Sequence, residues 1–310
     1  MPESNHQENA WTSSFDNGTF VRKQSEFRST ISHSGPYYPE SGRYHLYVSL
    51  ACPWAHRTLL VREWLGLHDV ITVSVVDWRM NSDGSWSFNP EEPGCTIDHL
   101  YGASSLEEIY QRADPSWKQS GCVGTVPVLW DSKLETIVNN ESREIIRMLS
   151  EFVDDSKPSA KLLSPPPLRE AIDAMIDSNY ESINNGVYKT GFAKTQQAYE
   201  EAVTTLFGRL DEIESHLEDR DWLVGGGRGQ FTEADVCLFP TLVRFDDVYV
   251  GHFKCNLQRI KDYPNLSAYV QRILMLPGVA DTCNSHHIKW HYYWSHQHLN
   301  PYRIVPIGPR

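Results

Sequence analysis

The chain is short of basic residues and has no CxxC pair and no long apolar run. Lys and Arg number 28 against 40 Asp and Glu, a net charge of -12. That leaves no cationic field for a phosphate backbone, so nucleic acid is excluded as a partner. No stretch approaches the ~20 apolar residues that cross a bilayer, so a membrane span is excluded too. The opening residues MPESNHQENAWTSSFDNG are polar. They lack the apolar core of a signal peptide and the arginines of a transit peptide. Cys52, Cys95, Cys122, Cys237, Cys255 and Cys283 are scattered. Such spacing argues against a disulfide framework and for a reducing compartment, with the cytoplasm as the expected location. Gly225-Gly226-Gly227 has neither GxGxxG spacing nor a preceding strand, so a dinucleotide loop is rejected. His287 and His291 lie four apart, which suits a metal on a helix, but no third ligand matches them. No metal is expected.

What is present is a globular chain of 310 residues, 40% hydrophobic, with 10 Trp and 15 Tyr. That length gives room for two domains. Residues 1–43 hold many turn formers and little periodicity, and they read as an extension wrapped on the surface. From Tyr44 the pattern changes. Tyr44–Leu50 alternates apolar and polar, as a strand does. Pro53 then opens a run with helical spacing, closed by Gly66. Val70–Val76 is rich in β-branched residues and reads as a buried strand. Strand, helix, strand implies a parallel unit with a right-handed crossover. Val126–Trp130 and Glu135–Val138 read as a hairpin, followed by an amphipathic helix over Asn139–Phe152. Residues 44–152 thus form a compact α/β sandwich.

Residues 153–167 are a linker by composition. Residues 168–310 read as helical, with helices over about 168–186, 195–219, 232–249 and 264–276. Thr232 and Asp235 form a capping-box signature at the start of the third.

Cys52 stands between the first strand and its helix, with Pro53 next. Amides and dipole at a helix N-terminus favour an anion. Such sites lower a cysteine pKa from about 8.5 to roughly 3.5–7.5. A structural buried cysteine is the plain alternative. The fourth position of a CxxC motif is Ala55, so no resolving thiol is at hand. An external thiol and a mixed disulfide follow. Val126-Pro127 precedes a strand. In a thioredoxin-like sandwich that proline is cis, leaving the backbone of Val126 beside the cysteine for an extended peptide. Ser142 and nearby amides suit a carboxylate, and Glu141 suits an ammonium. A small peptide charged at both ends satisfies them. An ordinary capped helix is the competing reading.

Cys52-Pro53-Trp54-Ala55, Thr125-Val126-Pro127-Val128-Leu129-Trp130 and Asn140-Glu141-Ser142 together resemble a glutathione transferase. Val76-Asp77-Trp78-Arg79-Met80, Gly84-Ser85-Trp86-Ser87-Phe88, the segment from Arg244 through Tyr249 to Asn256, and the tail from His291 to Pro306 are similar to one branch of it. That branch is the glutathionyl-hydroquinone reductases, or Xi class. The resemblance runs from about residue 40 onward. It implies an N-terminal thioredoxin-like domain followed by an all-helical C-terminal domain that carries substrate. It also implies glutathione as co-substrate, no metal, and a homodimer. Cys52 would take glutathione from a glutathionyl-hydroquinone, and a second glutathione would release oxidised glutathione. Trp86, Val126, Glu141 and Ser142 would hold glutathione. Tyr188, Tyr249 and Tyr292 would line the hydroquinone pocket and donate protons, with Tyr293 as the alternative to Tyr292. The branch often has a basic residue four before the proline, where this chain has Val123; Lys118 is the candidate substitute.

Three other readings compete. An omega-like thioltransferase or dehydroascorbate reductase would share Cys52 and the glutathione site. A binding or scaffold module of transferase fold would not need a cysteine at 52. A conjugating transferase would offer a Tyr or Ser hydroxyl instead.

Overall fold

The computed structural model describes residues 15–117, 123–152 and 162–308. Two short strands, β1 (Phe15–Asp16) and β2 (Thr19–Phe20), form a hairpin at the start. Then come β3 (Tyr44–Val48), α1 (Pro53–Trp64), β4 (Ile71–Val75), α2 (Leu106–Ala113), β5 (Val128–Asp131), β6 (Thr136–Asn139) and α3 (Ser142–Leu149). The sheet order is β4-β3-β5-β6. β3 and β4 are parallel, and the other two pairings are antiparallel. This is the expected βαβ unit followed by ββα.

Local chemistry accounts for the joints. Pro53 occupies the first turn of α1, where its missing N–H costs nothing. Gly66 ends the helix with φ 66°, a conformation that favours glycine. Between β5 and β6, the Asp131 carboxylate accepts from the amides of Lys133 (2.9 Å) and Leu134 (3.2 Å), which closes the hairpin turn. Arg43 pairs with the same buried carboxylate at 2.9 Å.

The second half is helical: α4 (Arg169–Asn179), α5 (Gly186–Phe192), α6 (Gln196–His216), α7 (Glu233–Arg244), α8 (Val250–His252), α9 (Pro264–Leu274) and α10 (Ser285–Ser295). The Thr232–Asp235 box is formed. Asp235 accepts from the Thr232 amide at 2.8 Å, and also from the Tyr269 hydroxyl at 2.8 Å. That fixes the start of α7 in the core.

Two departures from the sequence reading bear on function. The helices expected over 168–186 and 232–249 each contain a π-helical turn, at Tyr180–Asn184 and Phe245–Tyr249. An extra residue rotates the following side chains by about 100°. Tyr188 and Tyr249 therefore point where regular α-periodicity would not place them. The helix Ser285–Ser295 lies outside the four expected ranges. Its composition (SHHIKWHYYWS) has no simple apolar stripe, because it is packed on several sides.

The halves join through α1, which packs on α3 and α7. The Arg57 guanidinium donates to the Cys237 carbonyl at 2.9 Å, and His56 meets the Thr282 hydroxyl at 2.7 Å. Among the described residues no helix is long and apolar enough to cross a membrane.

Candidate active site

Cys52 is the N-cap residue of α1. It opens on a pocket walled by Pro53, Trp54, Trp86, Val126, Tyr188, His291, Tyr292 and His296. Val126-Pro127 is cis, and the Cys52 thiol lies 3.6 Å from the Val126 carbonyl oxygen.

The amides of Ala55 and Trp54 and the charges of Arg244 and Arg22 all pull the Cys52 pKa down, yet burial pushes it up and prevails. This corrects the expectation of a lowered thiol. The helix end is there, but aromatic rings surround it and keep water from the anion. Cys52 is only half-buried, so its sulfur still faces the pocket. A thiolate there depends on fixed donors more than on solvent.

Arg244 is the principal fixed charge behind it. Its guanidinium is fully buried and donates to the carbonyls of Ala51 (2.9 Å), Leu50 (3.1 Å) and Pro240 (2.8 Å), with His56 Nδ1 at 2.9 Å. All four partners are uncharged, since burial beside Arg244 pushes His56 well below its ordinary value. Arg244 therefore clamps the two residues before Cys52 and keeps an uncompensated positive charge near the sulfur.

The three tyrosines meet. The hydroxyls of Tyr188 and Tyr292 are 2.6 Å apart, and those of Tyr249 and Tyr292 are 3.0 Å apart. Burial raises all three pKa values, so they stay protonated at neutral pH. Tyr188 and Tyr292 line the pocket, whereas Tyr249 stands behind Tyr292. Tyr293 is turned away, its hydroxyl against Gly251. Of the two adjacent residues, Tyr292 is the one that lines the pocket.

Trp86 lies in the wall with its ring stacked on His291, centroids 5.1 Å apart. Glu141 caps α3, accepting from the Arg143 amide at 3.2 Å and from the Ser25 hydroxyl at 3.2 Å. The Ser142 hydroxyl accepts from Arg57 at 3.2 Å. Glu141 and Ser142 line a second hollow that shares Trp54, Thr125 and Val126 with the first. Lys118, the candidate for the place opposite Val123, lies outside the described residues, as do Cys122 and linker residues 153–161.

Sequence reasoning missed the stretch that follows β2. Arg22, Lys23, Gln24, Ser25 and Glu26 form one side of the pocket, so the extension does more than wrap the surface. It also missed His291 and His296 as wall residues. His291 donates from Nδ1 to the Trp78 carbonyl at 2.7 Å, and His287 donates to the Pro93 carbonyl at 2.8 Å. The four-residue spacing that resembles a metal pair serves two carbonyls. Among the described residues no group of three His, Cys, Asp or Glu could hold a metal ion.

The "Glutathione S-transferase, N-terminal domain" family matches residues 51–151, and the "Glutathione S-transferase, C-terminal domain" family matches 196–272. The chain belongs to the glutathione transferases. Within that family its likeness is to the Xi class. The structure of glutathione transferase Xi from Phanerochaete chrysosporium is 50% identical, with a TM-score of 0.88, covering 96% of this chain and 94% of that one. The glutathionyl-hydroquinone reductase PcpF of Sphingobium chlorophenolicum is 49% identical, over 94% of this chain and 90% of that protein. The glutathione-bound structure of YqjG, a glutathione transferase homologue from Escherichia coli, is 46% identical with a TM-score of 0.85, covering 92% and 93%. The thioredoxin-like and helical halves of this transferase are those expected from its sequence.

Proposed function

We propose that this transferase reduces glutathionyl-hydroquinones to hydroquinones through a mixed disulfide between Cys52 and glutathione. The observation that carries the reading is the chain of three tyrosine hydroxyls ending in the pocket that Cys52 opens on. Plain disulfide exchange has no use for it, whereas an aromatic leaving group needs a proton.

The chemistry begins on the keto tautomer of the conjugate, in which the ring carbon bonded to sulfur also holds a hydrogen. The Cys52 thiolate attacks the glutathione sulfur. A sulfur–sulfur bond forms and the sulfur–carbon bond breaks. The electron pair passes to the ring and settles on its oxygen, which takes one proton to give the hydroquinone. The ring is reduced and Cys52 is oxidised to the mixed disulfide. A second glutathione thiolate then attacks that disulfide, freeing oxidised glutathione and the Cys52 thiolate.

Three hydroxyls joined by two hydrogen bonds use two of their three protons. Donation from Tyr249 and Tyr188 to Tyr292 leaves the Tyr292 proton for the ring. Trp86 and the Val126 backbone would hold the tripeptide, and Glu141 with Ser142 its γ-glutamyl end. Cys52, Cys95, Cys237, Cys255 and Cys283 are all unpaired, which suits a reducing cytoplasm.

The test is turnover of a glutathionyl-hydroquinone against a simple glutathionyl mixed disulfide. Consumption of both supports the reading. Consumption of the disulfide alone would leave a thioltransferase and sink it.

A further inference from the structure

The stretch after β2 brings two cations to the pocket, Lys23 and Arg22, and Arg22 is the one held among aromatic rings. The Arg22 guanidinium lies over the rings of Trp54 (4.9 Å) and Tyr188 (4.7 Å), with Phe20 at 5.4 Å. Its Nε donates to Asn185 Oδ1 at 3.0 Å. Its Nη2 is buried and has no hydrogen-bond partner, and no Asp or Glu among the described residues pairs with it.

A buried N–H of a charged group is costly to leave unmet. Here the rings and Asn185 fix the plane of the guanidinium, so its free edge is held in advance of any ligand. Tyr188 belongs to the ring-binding wall, so the free edge lies beside the space for the aromatic ring. Arg22 also borders the second hollow, where Glu141 and Ser142 lie, but the three rings that hold its guanidinium, Phe20, Trp54 and Tyr188, all line the first. The group that fits the edge is an anionic oxygen, because a neutral hydroxyl would leave the desolvated charge uncompensated.

We infer that Arg22 binds the ring oxygen of the departing hydroquinone and stabilises the negative charge that collects there as the sulfur–carbon bond breaks. This rests on the function proposed above and adds a residue to it. The electron pair released from the broken bond moves through the ring onto that oxygen. Arg22 holds the oxyanion, the tyrosine chain then protonates it, and hydroquinone leaves. No further reactant enters. The otherwise unexplained extension thereby gains a role: it delivers the charge that makes an aromatic ring a workable leaving group.

The experiment compares the intact enzyme with Arg22→Gln on two substrates, a glutathionyl-hydroquinone and the mixed disulfide of glutathione with 2-mercaptoethanol. Each protein is assayed on the plateau of its own pH profile, so that altered ionisation of Cys52 drops out. Both substrates contain glutathione, and only one contains the ring. Arg22→Gln should lose about 10²-fold in kcat on the hydroquinone conjugate, the scale of a lost oxyanion donor. It should stay within about threefold on the disulfide, which also shows that the variant is folded. The loss should shrink for a chlorinated ring, whose oxyanion needs less help. Equal loss on both substrates would place Arg22 on glutathione or in the fold, and would overturn the inference. So would an unchanged rate on the conjugate. A wild-type enzyme that consumes the disulfide and ignores the conjugate defeats the proposed function and this inference together.

Discussion

The Tyr188 and Tyr292 hydroxyls lie 2.6 Å apart, though 104 residues separate them in sequence. They come from α5 and α10, and both face Cys52 across the pocket. Removing the Tyr292 hydroxyl breaks the chain of proton donors and leaves the thiol in place. Tyr292→Phe should slow release of hydroquinone by about 10²-fold or more, the usual scale of a lost general acid, and spare the disulfide substrate. Stopped-flow detection of free hydroquinone reads this directly. Equal loss on both substrates would remove the proton-donor role.

Tyr249 offers a graded comparison. It reaches the pocket only through Tyr292, at 3.0 Å. Tyr249→Phe removes a second-rank donor and leaves the Tyr292–Tyr188 link. Its kcat on the conjugate should fall by less than that of Tyr292→Phe. A larger fall would mean that Tyr249 itself meets the ring.

Arg244 should set the ionisation of Cys52. Its charge pulls the thiol pKa down against burial. Arg244→Gln should therefore move the pH profile of Cys52 alkylation to higher pH, with less thiolate at pH 7. It also leaves the Leu50 and Ala51 carbonyls short of donors. Stability should fall by about 2–3 kcal/mol, within the range for a buried bond to a charged group. An unmoved profile in a folded variant would show that the helix amides alone govern the thiol.

Acid should destabilise the fold through buried neutral histidines. His45 bridges the hydroxyls of Thr72 (2.6 Å) and Ser74 (2.9 Å), and burial pushes its pKa down to about 4 from 6.5. Above pH 6.5 neither the folded nor the unfolded chain protonates it, and the full stability is present. Between pH 6.5 and 4 the unfolded chain takes the proton first, so stability falls as pH falls. The loss from this residue approaches about 3 kcal/mol near pH 4. Denaturant melts between pH 7 and 4.5 should show the decline, and His45→Gln should flatten part of it. The same slope in wild type and variant would assign the decline to other groups.

The sandwich was legible because its signals are local. The alternation of Tyr44–Leu50, the β-branched run Val70–Val76 and Pro53 at the head of a helix each speak for themselves. Cys52 could be singled out because Pro53 follows it and Ala55 leaves it without a resolving thiol. The tyrosines were reached by resemblance and not by pattern. The π turns at 180–184 and 245–249 break the period that would have aimed them. Arg22 had no signal at all, since its role depends on Trp54, Tyr188 and Asn185, which are distant in sequence. The upward push on Cys52 was also invisible, because strand–Cys–Pro–helix reports the amides and not the rings packed around them.

The most direct measurement is a single turnover without free glutathione. The enzyme is mixed with one equivalent of a glutathionyl-hydroquinone, released hydroquinone is quantified, and intact mass is recorded. One hydroquinone should be freed for each glutathione gained at Cys52, with neither event in Cys52→Ser. Hydroquinone release without the adduct, or an adduct that persists in Cys52→Ser, would contradict the mixed-disulfide route.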